Sequence, residues 1–232
     1  MMSYRATMAV EATDSPPMTV VVRAMESRDL RFAAALHEQS LRHGLFPALG
    51  RRFLVRDLGT YLRSDASVAL VAELAGSPAG FLVGVLDEST HYRHVLQRHG
   101  TKLAASGLVA LMTRPRVAWR FLQTRAYRYV LGIGRLARGA RRGSAGATDR
   151  RATAVLSHVA VIPELRGSGV GSDLVAAFSA AASGASTATI RLTTRTGADG
   201  AGDFYIDLGW RHVDTFVDAD GLSWDRLRFD LH

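Results

Sequence analysis

A chain of 232 residues with 47% apolar side chains is long enough to bury the core of one domain. It has no apolar run of the eighteen or more residues that a spanning helix needs, and its lack of cysteine excludes disulfides, thiolate zinc sites and a cysteine nucleophile. The formal charge is +8, and the expectation is a cytoplasmic protein without a bound metal.

Met1 to Pro17 mixes Arg5, Glu11 and Asp14 with no continuous apolar block, so 1–17 reads as a disordered tail and not as a signal peptide. Residues 18–232 read as a single domain. Met18 to Met25 is rich in β-branched residues and predicts a first strand. Ser27 or Asp29 can cap the helix that follows, in which Leu30, Ala33, Leu36 and Leu41 recur at helical spacing until Gly44. Phe46 to Gly50 reads as a turn, and Phe53, Leu54, Leu58 and Leu62 mark a second amphipathic helix. Ser67–Ala75 and Ala79–Leu86 are apolar strands joined across Gly76-Ser77-Pro78, which predicts an antiparallel hairpin.

The pattern then breaks, and residues 88–151 read as a basic helical insertion inside the domain. Between His91 and Arg151 stand fourteen basic residues and one acid, Asp149. Genome composition accounts for arginine in place of lysine, which occurs only at Lys102, but not for this clustering. Thr101–Thr113 looks helical, and Thr113-Arg114-Pro115 starts a further helix. In that helix Val117, Phe121, Leu122, Ala126, Val130 and Leu131 form an apolar stripe bordered by arginines, and Gly139–Thr148 is the return. Such a stripe suits packing on the core or on a second copy as a homodimer, peripheral contact with an anionic membrane surface, or an acidic acceptor. Nucleic acid is the weakest of these partners. Beyond the insertion, Thr153–Val161 is a strand, and Leu174, Val175, Phe178 and Ala181 define a helix. Thr187–Thr194 is a strand, Asp203–Leu208 a short helix, and Trp210–Val217 and Ser223–Leu231 the last two strands.

The strongest chemical signal is the loop between the Thr153 strand and the helix behind it. Gly167, Gly169 and Gly171 let the backbone approach a ligand where a Cβ would collide. Free amides at a helix start make an anion site, and Arg166 adds a guanidinium fork at its mouth. This chemistry suits a diphosphate. The loop is not a P-loop, because Ser172-Asp173 follow the last glycine where Lys and Ser/Thr are needed, and its G-x-G-x-G spacing is not the dinucleotide fingerprint.

With Arg166, Gly169 and Gly171 in place, and Val161-x-Pro163 before them, the chain resembles the GNAT superfamily of N-acetyltransferases, whose loop reads Arg/Gln-x-x-Gly-x-Gly/Ala. A second family motif, Asn-x-x-Ala-x-x-Phe-Tyr-x-x-x-Gly-Phe, is matched by Ala201, Phe204, Tyr205, Gly209 and Trp210, with Ala198 where relatives carry Asn. The resemblance covers residues 18–87 and 152–232. It implies an α/β (α+β) fold with a mixed, mostly antiparallel central sheet of six to seven strands flanked by helices, the insertion falling between the third and fourth strands. It implies that acetyl-CoA is the cosubstrate. On this likeness the backbone of Val159, Ala160 and Val161 meets the pantetheine, and Arg166, Gly167, Ser168, Gly169, Val170, Gly171 and Ser172 hold the pyrophosphate. By the same analogy Tyr205 protonates the departing thiolate.

The implied reaction is direct attack of a small-molecule primary amine, an amino sugar or other anionic acceptor among them, on the thioester within a ternary complex. The amine must first lose a proton. His158 can take it directly or through water, although a strand histidine is more often a bonded core residue. His37, Glu38 and His43, or a chain of waters, compete for that role. The alternative class is a non-catalytic CoA-binding sensor or scaffold whose basic insertion grips a polyanion or a membrane surface.

Overall fold

The computed structural model describes residues 19–41, 48–113, 119, 153–218 and 220–231. In chain order these form strand β1 (Val20–Ala24), helices α1 (Leu30–Ser40) and α2 (Arg51–Tyr61), strands β2 (Ser67–Leu74) and β3 (Ser77–Val85), and helices α3 (Glu88–Arg98) and α4 (Gly100–Met112). Strand β4 (Thr153–Val161), helix α5 (Val170–Gly184), strand β5 (Thr189–Arg195), short helix α6 (Gly202–Asp207) and strands β6 (Arg211–Val217) and β7 (Ser223–Asp230) follow. The strands make one seven-stranded sheet in the order β1-β2-β3-β4-β5-β7-β6. Every neighbouring pair is antiparallel except β4 with β5, which run parallel. This is the mixed, mostly antiparallel sheet flanked by helices that the sequence led us to expect.

Alternation along the strands divides the interior into two cores. Leu82, Ala154, Leu156, Ile190 and Leu227 pack with Leu174 and Phe178 of α5. Val71, Phe81, Val83 and Ala160 pack with α1 and α2 through Ala33, Leu36, Leu54 and Leu58. Gly84 is set by the first core: a Cβ there would lie 2.5 Å from the Phe178 ring and 2.8 Å from the Val155 carbonyl oxygen, so α5 can approach β3 only across a residue without a side chain.

Three local expectations change. Helix α3 falls within the expected helical insertion but could not be delimited, because His91 is its only buried residue; it starts from its cap, the Asp87 carboxylate accepting from the Ser89 and Thr90 amides. Asp29 occupies the N-cap of α1 without capping it. Its carboxylate accepts from Arg23 at 2.7 and 3.0 Å and from the Glu26 amide at 2.8 Å, while Arg23 also donates to Glu73 at 2.7 Å, so this ion group ties β1 and β2 to the start of α1. The expected turn before α2 ends on Gly50 in the left-handed region, at φ 88°. The 1–17 tail, Gly44, the helix expected from Thr113-Pro115 through Leu131 and the Gly139–Thr148 return lie outside the described residues, apart from Thr113 and Trp119. No helix among the described residues is long and apolar enough to cross a membrane.

Candidate active site

Strands β4 and β5 pair only at Thr153–Thr189, Ala154–Ile190 and Val155–Arg191. Beyond Val155 they diverge, so residues 156–161 keep β3 on one side and, among the described residues, have no strand partner on the other. An unpaired strand edge beside a wedge offers backbone donors and acceptors to an extended ligand. The register with β3 also slips here. Val83 faces His158 and Gly84 faces Leu156, which leaves Ser157 as the extra residue of a β-bulge.

The wedge leads to the glycine loop. Ile162 enters a single 3₁₀ turn, Pro163–Leu165, and Gly167 and Gly169 follow with φ of 78° and 91°, values that a side chain would strain. A Cβ on either would meet nothing within 4 Å, so open space lies against the backbone. Gly171 differs: a Cβ there would come 3.3 Å from the Phe204 ring, so this glycine seats α6 on the start of α5. Among the described residues the amides of Gly167, Gly169, Val170, Gly171 and Ser172 donate to no backbone carbonyl, and α5 stands behind them with its positive dipole end. Ser168 turns inward, its hydroxyl donating to the Leu165 carbonyl at 2.6 Å. Arg166 is exposed and its guanidinium reaches the Ser40 hydroxyl at the end of α1, 3.4 Å away. Loop, wedge edge and Arg166 therefore form one continuous track. Val159 and Val161 lie on the α5 side of β4 and Ala160 on the α1 side.

Tyr205 sits at the side of this track, one residue from the Phe204 ring that touches Gly171. It is 3% exposed and meets Phe204 at 5.0 Å and Trp210 at 5.3 Å, both edge-on. Burial pushes its phenol well above the ordinary tyrosine range, so it keeps its proton throughout the neutral pH range. Ala198, in the place of the relatives' Asn, lies in the 3₁₀ turn Gly197–Asp199. The start of α6 is fastened instead by the Ala201 amide, which donates to Thr194 Oγ1 at 3.0 Å.

His158 faces the α1 side, its ring 4.6 Å from His37 and edge-on to it. Both His37 ring nitrogens are enclosed without a hydrogen-bond partner among the described residues. Burial lowers His37 to about 4 and His158 to about 3, the neighbouring imidazole adding to the second shift. Both rings are neutral at pH 7. Glu38 is committed to Arg51 at 2.9 Å, and His43 lies outside the described residues. Residues that the sequence reading missed gather beside the bulge: Asp57 and Tyr61 of α2, His91 of α3 and Ser157. Among the described residues no three His, Asp or Glu side chains are placed to hold a metal ion. A separate groove of about 880 Å³ over β5 and β7 has its arginines already paired, Arg191 with Glu88, Arg226 with Asp214 and Arg228 with Asp230.

A family model described as an acetyltransferase (GNAT) domain matches residues 136–231, the stretch that carries the wedge, the glycine loop and Tyr205. That match covers less than half of the chain and marks its C-terminal part as similar to GNAT acetyltransferases. Solved structures of the same fold include Ard1 from Thermoplasma volcanium, 18% identical, covering 92% of this chain and 98% of that one with a TM-score of 0.54. Ribosomal-protein-alanine N-acetyltransferase from Brucella melitensis is 14% identical, with 91% and 99% covered and a TM-score of 0.55. An N-acetyltransferase from Staphylococcus aureus Mu50 is 13% identical, with 92% and 99% covered and a TM-score of 0.55. At these identities the likeness is one of fold. No curated protein matches the chain.

Proposed function

We propose that this protein moves the acetyl group of acetyl-CoA to a primary amine of a small molecule by direct attack in a ternary complex. The observation that carries the reading is the divergence of β4 from β5, which opens onto a glycine loop where the amides of Gly167, Gly169, Val170, Gly171 and Ser172 donate to no backbone carbonyl among the described residues. The residues present fit coenzyme A: a bare strand edge suits the amide-rich pantetheine arm, and the α5 start with Arg166 suits a diphosphate. Val159, Ala160 and Val161 would line the arm. Arg166 and the backbone of Gly167, Gly169, Val170, Gly171 and Ser172 would hold the phosphates, with Ser168 bracing the loop from within. Bound acetyl-CoA supplies the activated acyl group as a thioester.

The chain's own residues then have three tasks. A β4 amide near Val159, at the freed edge, stabilises the charge that grows on the carbonyl oxygen. Tyr205, kept protonated by burial, delivers a proton to the departing sulfur. His158 offers a neutral imidazole to the amine, but at about 3 it is a weak proton acceptor. Calorimetry with acetyl-CoA and a panel of amines, followed by thiol release, tests the reading. Tyr205→Phe should lower kcat about 100-fold or more while the acetyl-CoA Kd stays within about twofold. Wild-type protein that binds no acetyl-CoA sinks it.

A further inference from the structure

The side chains gathered beside the β4 bulge are unused by this scheme. Asp57 and Tyr61 stand one turn apart on α2 and share a face. The Tyr61 hydroxyl lies beside Ser157, the extra residue of the bulge, and close enough to Asp57 and Tyr92 to feel both. Its ring is 4.8 Å from that of His91, which in turn meets Tyr92 at 6.1 Å. His91 is 4% exposed and its Nδ1 has no partner among the described residues. Asp57, Tyr61 and Ser157 each retain accessible surface, although Asp57 and Tyr61 are closely surrounded by protein. Asp57 is therefore a half-buried carboxyl beside the bulge.

Among the described ion pairs none includes Asp57, and the nearby Arg51 of α2 is spent on Glu38. Unrelieved burial raises the Asp57 carboxyl to about 7. The arginines on α1, α2 and α3, Arg31, Arg51, Arg52, Arg56, Arg93 and Arg98, and Arg63 just past α2, are exposed, and the enclosed histidines on these elements bring no positive charge at pH 7. His37 of α1, His91 of α3 and His158 of β4 are all held toward the neutral form, and burial holds the Tyr61 phenol protonated; α4 reaches α2 at Gly107 against Phe53. A buried carboxylate without a countercharge is unfavourable by itself. Aromatic rings attract cations through their faces. A carboxylate with the Tyr61 ring beside it complements a compact organic cation.

We propose that Asp57, with Tyr61 beside it, receives the acceptor as an alkylammonium ion and takes the proton that the nitrogen must lose. This inference rests on the acetyl-transfer reading and names the acceptor class and the base for that same site. One N–H proton passes from the ammonium to an Asp57 oxygen. The freed nitrogen lone pair forms the C–N bond to the thioester carbonyl carbon while the C–S bond breaks. The sulfur leaves with the Tyr205 proton, the phenolate recovers one from the nitrogen, and Asp57 returns its own to water. Atoms and charge balance as ammonium plus thioester giving amide, thiol and one released proton. Asp57 at about 7 is a far better proton acceptor than His158 at about 3.

The test uses n-alkylamines from propyl to hexyl, which are cations at pH 7, against methoxyamine, which is neutral there. Thiol release is followed from pH 5.5 to 9 with wild-type protein and Asp57→Asn. The expected result is a wild-type kcat/KM for alkylamines that rises through a limb near pH 7, a loss of about 100-fold in Asp57→Asn with the limb gone, and a change within about threefold for methoxyamine. Equal losses for both amine types, or no loss, overturn the proposal. A second measurement needs no variant. Calorimetric binding of n-butylammonium to the CoA-loaded wild-type protein should tighten about tenfold from pH 5.5 to 8.5, and a pH-independent or absent affinity overturns the proposal even if Asp57→Asn fails to fold. Wild-type protein that binds no CoA overturns the transfer reading as well, whereas turnover without charge discrimination overturns this one alone.

Discussion

The two ends of the β4 wedge are built from different materials. At the glycine-loop end the functional groups are backbone amides, residues 166–169 are exposed, and Arg166 is the cationic side chain of the loop. At the bulge end they are side chains from α1, α2, α3 and β4, mostly enclosed, with Asp57 raised toward neutrality and His37 and His158 depressed below it. Backbone amides bind an anion with the same strength across the working pH range. Enclosed side chains respond to every proton and every charge that arrives. One end suits holding a carrier, and the other suits choosing and activating an acceptor.

If that division holds, loop substitutions should change affinity and leave the pH profile alone. Gly169→Val places a branched side chain at φ 91° and in open ligand space. Losing two charge-assisted amide contacts at ~1.5 kcal/mol each weakens acetyl-CoA binding about 100-fold, read by calorimetry, with the fold itself destabilised by about 1–2 kcal/mol. Arg166→Ala removes one such contact and should raise the Kd about tenfold, the loss shrinking as salt is added. A pH-dependent loss in either variant would break the division.

The bulge end should show itself in stability against pH. His37 and His158 have folded values below the ordinary 6.5, so the unfolded chain binds more protons. Their stabilisation is complete above pH 6.5 and is lost as pH falls from 6.5 toward 4. Asp57 runs the other way, since a folded value near 7 lies above the ordinary 3.8, and its carboxylate destabilises increasingly from pH 4 to 7. Asp57→Asn should therefore be more stable than wild type at pH 8, and the advantage should shrink by about 1 kcal/mol per pH unit between pH 7 and 4, measured by denaturant unfolding. A constant difference across that range would place Asp57 in solvent. The smallest effect is expected from His37→Phe. It replaces two unpartnered buried nitrogens with carbon and should stabilise the fold by about 1 kcal/mol without altering the acetyl-CoA Kd.

The glycine loop was legible because its chemistry is local. Arg166, Gly167, Gly169 and Gly171 stand within six residues, and positive-φ backbone at a helix start needs glycine wherever the fold is formed. Strand β4 was likewise legible, since Thr153–Val161 carries its own apolar run. Helix α3 could not be delimited because a polar helix held by the Asp87 cap leaves almost no apolar period to read. The bulge end escaped for a different reason. Asp57, His91 and Ser157 are far apart in the chain, and a lone aspartate on a helix otherwise reads as a solvated residue.

By itself the sequence determined the strand order and the glycine loop with its positive-φ backbone, because spacing along the chain sets backbone conformation and apolar faces over a few residues. Only tertiary structure decided that β4 parts from β5 after Val155, that Ser157 bulges out, and that Tyr61 and His91 meet beside Asp57. Those outcomes depend on which strands pair and how closely helices approach, and the shifted proton affinities follow from the burial that packing alone creates.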